Sequence, residues 1–301
     1  MINRFVLLLI ISIILGACEG SPDDDRKVAN EKKIESFLRN NDLTYTKQNG
    51  VYYATRVKGF GNRIADGDSI AFWYIGYTLN GIIFDTNIIE VAEEYNLDTS
   101  VRDFNPIEVI AGNSTLIEGL NRGVMLCREG EWGTVLFPAE LGFGDDFVGS
   151  IDPWSPLAYD IFIIYVKNQQ ILQEQNFISN FVGNSEGFTI DSIGFWIKFL
   201  EQNENSSEFG IGDTIYAKVN GQSLYSEEAI ELPSESKQLV LSEQVLNEGV
   251  LHGFLRLSEG ERAQLVLPSC LAFGTLGNDS INPYEPMLYE ILLDSIKNNN
   301  N

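Results

Sequence analysis

Residues 118–163 align without a gap onto residues 248–293 at a constant offset of 130. Sixteen of these 46 positions are identical, where average residue usage gives roughly three. The identities include Gly119/Gly249, Gly123/Gly253, Gly130/Gly260, Glu131/Glu261, Pro138/Pro268, Leu141/Leu271, Phe143/Phe273, Gly144/Gly274, Ile151/Ile281, Pro153/Pro283, Pro156/Pro286 and Tyr159/Tyr289. Upstream the offset changes: Gly67-Asp68 matches Gly212-Asp213 at 145, and Asn80-Gly81 reads as matching Asn220-Gly221 at 140, so the second copy is shorter there. Two copies are too few for a solenoid, whose repeats bury their faces on their neighbours. Two domains of about equal size are expected, and 301 residues accommodate them.

The charge balance narrows the partners. With 43 Asp+Glu against 20 Lys+Arg, the net charge is −23. A surface that reads phosphate needs clustered Lys/Arg to release counterions, so nucleic acid is excluded as a partner. The apolar fraction of 44% is far above that of a disordered acidic tail, so the chain can bury cores. One His and three Cys leave too few ligands for a structural zinc, and no metal is expected.

The N-terminus reads as an address. Arg4 precedes an apolar run, Phe5 to Leu15, broken only by Ser12. Such a run is too short to span a bilayer, which takes about 20 apolar residues, and it fits the apolar region of a signal peptide. Leu15-Gly16-Ala17-Cys18 resembles the bacterial lipoprotein box, which implies cleavage before Cys18 and lipidation of its thiol and amine. Several acyl chains anchor a protein that does not itself span the membrane. Glu19 to Asp25, with three consecutive Asp, is polar and has nothing to bury. It fits two readings, a solvated tether and the acidic surface-export signal of Bacteroidetes lipoproteins. Cys127 and Cys270 occupy non-equivalent repeat positions in apolar surroundings, so free buried thiols are expected.

Each copy reads as antiparallel sheet with short helices. Ser69 to Leu79 is rich in aromatic and β-branched residues and ends at Asn80-Gly81, a hairpin signal, with Ile82-Ile83-Phe84 returning. Trp132 to Phe137 and Leu157 to Val166 are further strands. Apolar residues at 116, 117, 120 and 124 predict a short helix across the sheet. Ile34, Phe37 and Leu38 mark an entry helix, and Gln169 to Phe181 a helical linker. The fold class is α+β.

In order along the first copy stand Gly67-Asp68, Tyr74-x-Gly76, Asn80-Gly81-x-x-Phe84-Asp85, Pro106 to Gly112, Leu116-Ile117-x-Gly119, Gly130-Glu131, Pro138, Leu141-Gly142-Phe143-Gly144 and Pro156-Leu157-x-Tyr159-Asp160. This ordered set, over roughly residues 50–168, resembles an FKBP-type peptidyl-prolyl isomerase domain. The resemblance implies two tandem domains, each a bent antiparallel sheet wrapped around a short helix, and an activity that uses no cofactor. It implies a catalytic set of Tyr74, Phe84, Asp85, Phe143 and Tyr159, with a substrate pocket completed by Ile107, Leu116, Ile117, Leu120 and Ile151. Proline-containing polypeptides are the implied clients.

Several positions depart from the family pattern. Phe143 stands where the family usually has a Tyr that donates to the substrate carbonyl, and Leu120 stands for its Trp floor. The segment 86–105 is longer than the family norm, carries Glu90, Glu93, Glu94, Asp98 and Asp103, and is placed to cover or reshape the pocket mouth. In the second copy Leu224-Tyr225 takes the place of Phe84-Asp85 and Asn247 that of Ile117, while Phe273 and Tyr289 remain; His252, aligned with Arg122, reads as a surface residue. The expected organisation is a lipoprotein signal peptide at 1–17, an acidic tether at 18–30, a first domain with its entry helix at 31–168, a linker at 169–183 and a degenerate second domain at 184–298. Two functions fit: a lipid-anchored prolyl isomerase assisting exported proteins at the outer membrane, or a catalytically weak accessory subunit of an outer-membrane secretion or gliding complex.

Overall fold

The computed structural model describes residues 22–100, 103–112, 115–203 and 208–297. The signal peptide, Cys18 and the start of the acidic tether lie outside the described residues. The first unit contains helix α1 (Pro22–Asn40), strands β1 (Thr46–Gln48), β2 (Val51–Val57), β3 (Ser69–Thr78) and β4 (Ile83–Thr86), helix α2 (Ile89–Glu94), strand β5 (Ile107–Ile110), helix α3 (Glu118–Val124), and strands β6 (Trp132–Phe137) and β7 (Leu157–Lys167). Its sheet runs β1-β2-β6-β7-β3-β4, antiparallel throughout, with β5 also paired to β3. The four predicted strands and the short helix are present.

A helix packs on each face of this sheet, and the sequence shows how. On the inner face α3 lies almost against β6, because Gly119 and Gly123 have no side chain there. A Cβ at either would meet the Phe137 ring or the Val135 methyl at 2.2 Å. The same pair recurs as Gly249 and Gly253 against Leu267 and Leu265, which explains two of the repeat identities. On the outer face α1 buries Ile34 and Leu38 against Tyr52, Ala54, Leu136 and Ala158. Fully burying such an aliphatic side chain stabilises by roughly 1.5–3 kcal/mol.

The tether reading is corrected from Pro22 onward, where the chain is already helical. Proline suits a first helical turn and acids suit its positive end, but docking is what holds the helix. Arg26 stacks over Trp154 at 4.6 Å. The Asn30 side chain is buried, accepting from the Ala139 N–H at 3.0 Å and donating to the Trp154 carbonyl at 3.1 Å.

Helix α4 (Gln169–Gly183) is more than a linker. It plays for the second unit the part that α1 plays for the first. Glu174 accepts from the Ser269 N–H and, at 2.8 Å, from its hydroxyl, as Asn30 accepts from Ala139. Ile178 packs with Leu224 and Val266. The second unit continues through β8 (Thr189–Ile190), β9 (Trp196–Glu201), β10 (Thr214–Ser223), β11 (Lys237–Val240), α5 (Glu248–Phe254), β12 (Arg262–Leu267) and β13 (Met287–Ile296), in the order β11-β10-β13-β12-β9-β8.

Register corrects one repeat match. Gly76 faces Tyr159 across β3 and β7, and Gly221 faces Tyr289 across β10 and β13. Gly221 is therefore the counterpart of Gly76 at offset 145, and Asn220-Gly221 lies within a strand instead of at a turn. Ser69 pairs with Ile110, and Thr214 with Val240, so the offset drops from 145 to 130 between β3 and β5.

The two units share a bonded interface. The Arg128 side chain, 6% exposed, donates to Glu248 at 2.9 Å, to the carbonyls of Phe60 and Gly61, and to that of Cys270 at 3.2 Å. Lys58 bonds Glu243 and Glu248 at 2.6 and 2.5 Å. Aromatic rings cross in both directions: Phe60 packs on the second core and Tyr284 on the first. His252 is half-buried edge-on to Phe60 at 5.2 Å, with its pKa lowered by burial, so its surface reading becomes an interface role. Cys127 and Cys270 are free thiols, both raised by burial, Cys270 to about 12.

Arg128→Met is expected to leave Glu248 with Lys58 alone and to strip the donor from three carbonyls. Coupling between the units should fall by roughly 3 kcal/mol, so that urea unfolding followed by tryptophan fluorescence separates into two transitions. One unchanged transition would contradict this role.

Candidate active site

Strand alternation aims Tyr74 of β3 into the core, and the β3–β4 hairpin returns Phe84 and Asp85 beside it. A regular strand sends neighbouring side chains to opposite faces. Here Gly76 pairs with Asp85 while Tyr77 pairs with Ile83, so Phe84 is the extra residue of a bulge. Bulges re-aim side chains, and this one brings both residues to a single pocket. Phe84 meets Phe143 and Tyr159 edge-on at centroid distances of 6.3 and 5.8 Å, and Asp85 accepts from the Tyr74 hydroxyl at 3.0 Å.

The remaining predicted residues converge on the same place. Tyr74, Leu120, Ile151 and Tyr159 are buried in one cluster, with Phe84, Ile107, Leu116, Ile117 and Phe143 half-buried against it. Leu116 and Ile117 lead into α3, which buries Leu120, and Ile151 is fixed by a bridge to Val148. Tyr74 lies 5.9 Å from Tyr159. Nine of the ten predicted residues thus belong to one cluster, and Asp85 joins it through Tyr74. It is apolar except for the Tyr74–Asp85 pair and the Tyr159 hydroxyl. Burial, and then the neighbouring Tyr74, push the Tyr159 pKa up, so its proton stays on at neutral pH.

Two contributors are not evident from the chain. Phe137 stacks on Tyr159 at 5.8 Å with 15° between planes; its place in a predicted strand is the one available signal. Asn87 has none. Its buried amide accepts from the Tyr74 N–H at 2.8 Å and donates to the Phe72 and Asn105 carbonyls, each at 3.0 Å. It thereby takes over the edge of β3 where β4 has stopped pairing and β5 has not begun. Among the described residues of 88–105, none is an apolar member of the pocket cluster. Ile88 instead sits beside Trp73 and Ile75 on the opposite face of the sheet.

The second unit has the same frame with a different filling. Val219 stands for Tyr74 and Leu267 for Phe137. Asn247 accepts from the Val250 N–H at 3.0 Å, capping α5, and donates to the Tyr289 hydroxyl at 2.9 Å. No strand equivalent to β4 follows β10. Leu224 is buried beneath α4, and Tyr225 is exposed against Phe177 at 4.4 Å. Leu224-Tyr225 is therefore no counterpart of Phe84-Asp85, because it faces away from the pocket. Among the described residues, no group of three or more His, Cys, Asp or Glu is placed to hold a metal ion.

Gly76→Ala is expected to push a methyl to 2.8 Å from the Tyr159 ring and 3.1 Å from that of Phe84. Overpacking of this kind costs about 1–3 kcal/mol, measurable by thermal unfolding. Near-UV circular dichroism should report the displaced tyrosine.

Comparisons with known proteins fall on this site. Residues 61–164 match the model of the FKBP-type peptidyl-prolyl cis-trans isomerase family. The chain is 40% identical over 83 residues to the short-type peptidyl-prolyl cis-trans isomerase of Methanocaldococcus jannaschii, covering 28% of this chain and 52% of that protein. It is 25% identical over 239 residues to the mouse peptidyl-prolyl cis-trans isomerase FKBP10, covering 79% of this chain and 36% of that one. The chain thus spans about half or less of the length of these curated relatives. A crystal structure of the three FKBP domains of wheat FKBP73 aligns with 84% of this chain and 98% of its own, at 17% identity and a TM-score of 0.33.

Proposed function

We propose that the FKBP-type domain matched at residues 61–164 makes this chain a peptidyl-prolyl cis-trans isomerase acting on proline-containing polypeptides. One observation carries this reading: the ten residues expected to form the pocket converge, with the Tyr74–Asp85 hydrogen bond at its single polar edge. Rotating an X-Pro amide breaks its resonance against a barrier of about 18–20 kcal/mol. A dry bowl lined by Phe84, Phe143, Tyr159, Leu120 and Ile151 strips water from the proline ring and holds the twisted amide better than either planar isomer. Asp85, fixed by Tyr74, sets the orientation of the polar edge. Phe143 brings no hydroxyl to the substrate carbonyl, so turnover is weaker than a tyrosine at that position would give. In the second unit Asn247 and Tyr289 already bond each other across the corresponding space, which favours binding or scaffolding over catalysis there.

The resemblance of Leu15-Gly16-Ala17-Cys18 to a lipoprotein box supports anchoring by lipid on Cys18, and we read the chain as an outer-membrane protein whose task is folding of exported proteins. The pairing of one pocket of this kind with one filled pocket supports a second reading, an accessory subunit of an outer-membrane secretion or gliding complex that presents this domain to clients.

In a protease-free assay on a prolyl peptide, Asp85→Ala and Phe84→Ala should each lower kcat/KM at least about tenfold, equivalent to 1.4 kcal/mol of transition-state stabilisation. Tyr289→Phe should leave it unchanged. Loss confined to the Tyr289 variant, or no turnover in the parent protein, would refute the assignment. For the anchor, Cys18→Ser is expected to move the protein from the detergent phase to the aqueous phase and to abolish labelling with radioactive palmitate. Retention of both signals would refute lipidation at Cys18.

A further inference from the structure

The outer face of the first sheet carries a feature that isomerisation does not use. In register across four strands stand Trp73 (β3), Phe162 (β7), Trp132 (β6) and Val57 (β2). Helix α1 covers the neighbouring part of this face but not this row. Trp132, Phe162 and Val57 are 46%, 43% and 53% exposed. With Ile75 and Ile88 they line an apolar cleft of about 320 Å³ whose one carboxylate, Asp160, is occupied by the Tyr77 and Thr134 hydroxyls.

The repeat supplies an internal comparison. The same row of the second sheet reads Lys218, Leu292, Arg262 and Glu201. Arg262 there bonds Glu201 at 3.4 Å and also bonds Glu290, which in turn accepts from Gln264. One fold in one chain thus builds this row with a charged network in one copy and with two tryptophans, a phenylalanine and a valine in the other. A soluble sheet face does not need the second version, and contiguous exposed aromatics mark interaction sites.

Charge selects the occupant. The chain carries −23, and Glu90, Glu93 and Glu94 of α2 follow directly after Ile88 at the edge of the cleft. A second copy brings the same negative charge, and an anionic bilayer is likewise repelled. We propose that the Trp73–Phe162–Trp132–Val57 row is a docking surface for a polypeptide segment with apolar anchors flanked by basic residues, separate from the prolyl pocket on the opposite face of the same strands.

The test uses the full chain and two synthetic amphipathic peptides of the same length. One is built of Leu and Lys, the other has Glu for each Lys. Titrations follow the indole N–H resonances and the tryptophan fluorescence of the protein. The Lys peptide should bind and shift the Trp73 and Trp132 signals, with the Glu peptide at least tenfold weaker. Trp132→Arg and Val57→Glu, which write the second copy's residues into the first, should each weaken the Lys peptide at least tenfold and leave isomerase turnover unchanged. Val57 is exposed enough that its variant keeps the fold if that of Trp132 does not. No binding, equal binding of both peptides, shifts confined to other tryptophans, or variants that bind normally would overturn the proposal. Concentration-dependent dimerisation abolished by Val57→Glu would instead assign the face to a second copy, and Trp132-dependent binding to phosphatidylcholine vesicles would assign it to a membrane. Turnover and peptide binding are read separately, so this surface and the prolyl pocket stand or fall independently.

Discussion

The pocket rests on the approach of one tyrosine ring to one strand glycine. Glycine inside a strand usually weakens it, and its presence marks a place where another group comes close. At Gly76 that group is the ring of Tyr159, directly across the β3–β7 pair. With no Cβ in the way the ring lies down on the strand, where Phe137 stacks on it and Phe84 and Tyr74 pack on its other sides. The second unit keeps the same pair, with Gly221 beneath Tyr289. The packing is thus a property of the frame, and what surrounds the ring determines what each copy does.

The difference between the copies is concentrated in one connection. Both sheets agree in register through β3 and β10 and again from β5 and β11 onward, so the change of offset from 145 to 130 falls on the segment joining those strands. In the first unit that segment holds the bulged Phe84-Asp85 pair, the bridging Asn87 and helix α2. In the second it is a turn with Leu224 buried under α4. Losing β4 removes the carboxylate and one aromatic wall together. Asn247, at the position of Ile117, adds a second difference: one amide caps α5 and restrains Tyr289. A half-buried amide with both its donor and its acceptor engaged is stable there.

Much of this was legible in the chain because it rests on local or repeated signals. The strands at 69–78, 132–137 and 157–167 and the helix at 169–183 follow from periodicity, turn chemistry and duplication, and the ten pocket residues from family resemblance. The bulge was not legible, because alternation assigns Phe84 and Asp85 to opposite faces and only pairing with β3 shows otherwise. Asn87 was invisible because its partners are backbone groups of β3 and of the segment before β5, 13 to 18 residues away. Helix α1 read as a tether at its start because its first residues are polar; Arg26 and Asn30 acquire meaning only when Trp154 and Ala139 are folded beneath them. Asn80-Gly81 and Asn220-Gly221 look alike as dipeptides, yet one ends a hairpin and the other crosses a strand.

Duplication followed by divergence lets one half of the chain act as a physical control for the other. Equivalent positions share backbone, register and covering helix, so a difference in side chain cannot be ascribed to what the fold requires. On the inner face the comparison separates the frame, Gly76/Tyr159 and Gly221/Tyr289, from the chemistry, Tyr74, Phe84 and Asp85, present in one copy. On the outer face it separates a charged row that suits solvent from an apolar row that does not. Arg128, buried between the units with all three guanidinium nitrogens engaged, then fixes the unit with the charged row beside the unit with the apolar one. The acidity of the whole body keeps solvent around the exposed aromatics of the first sheet and disfavours closure of two such faces on each other.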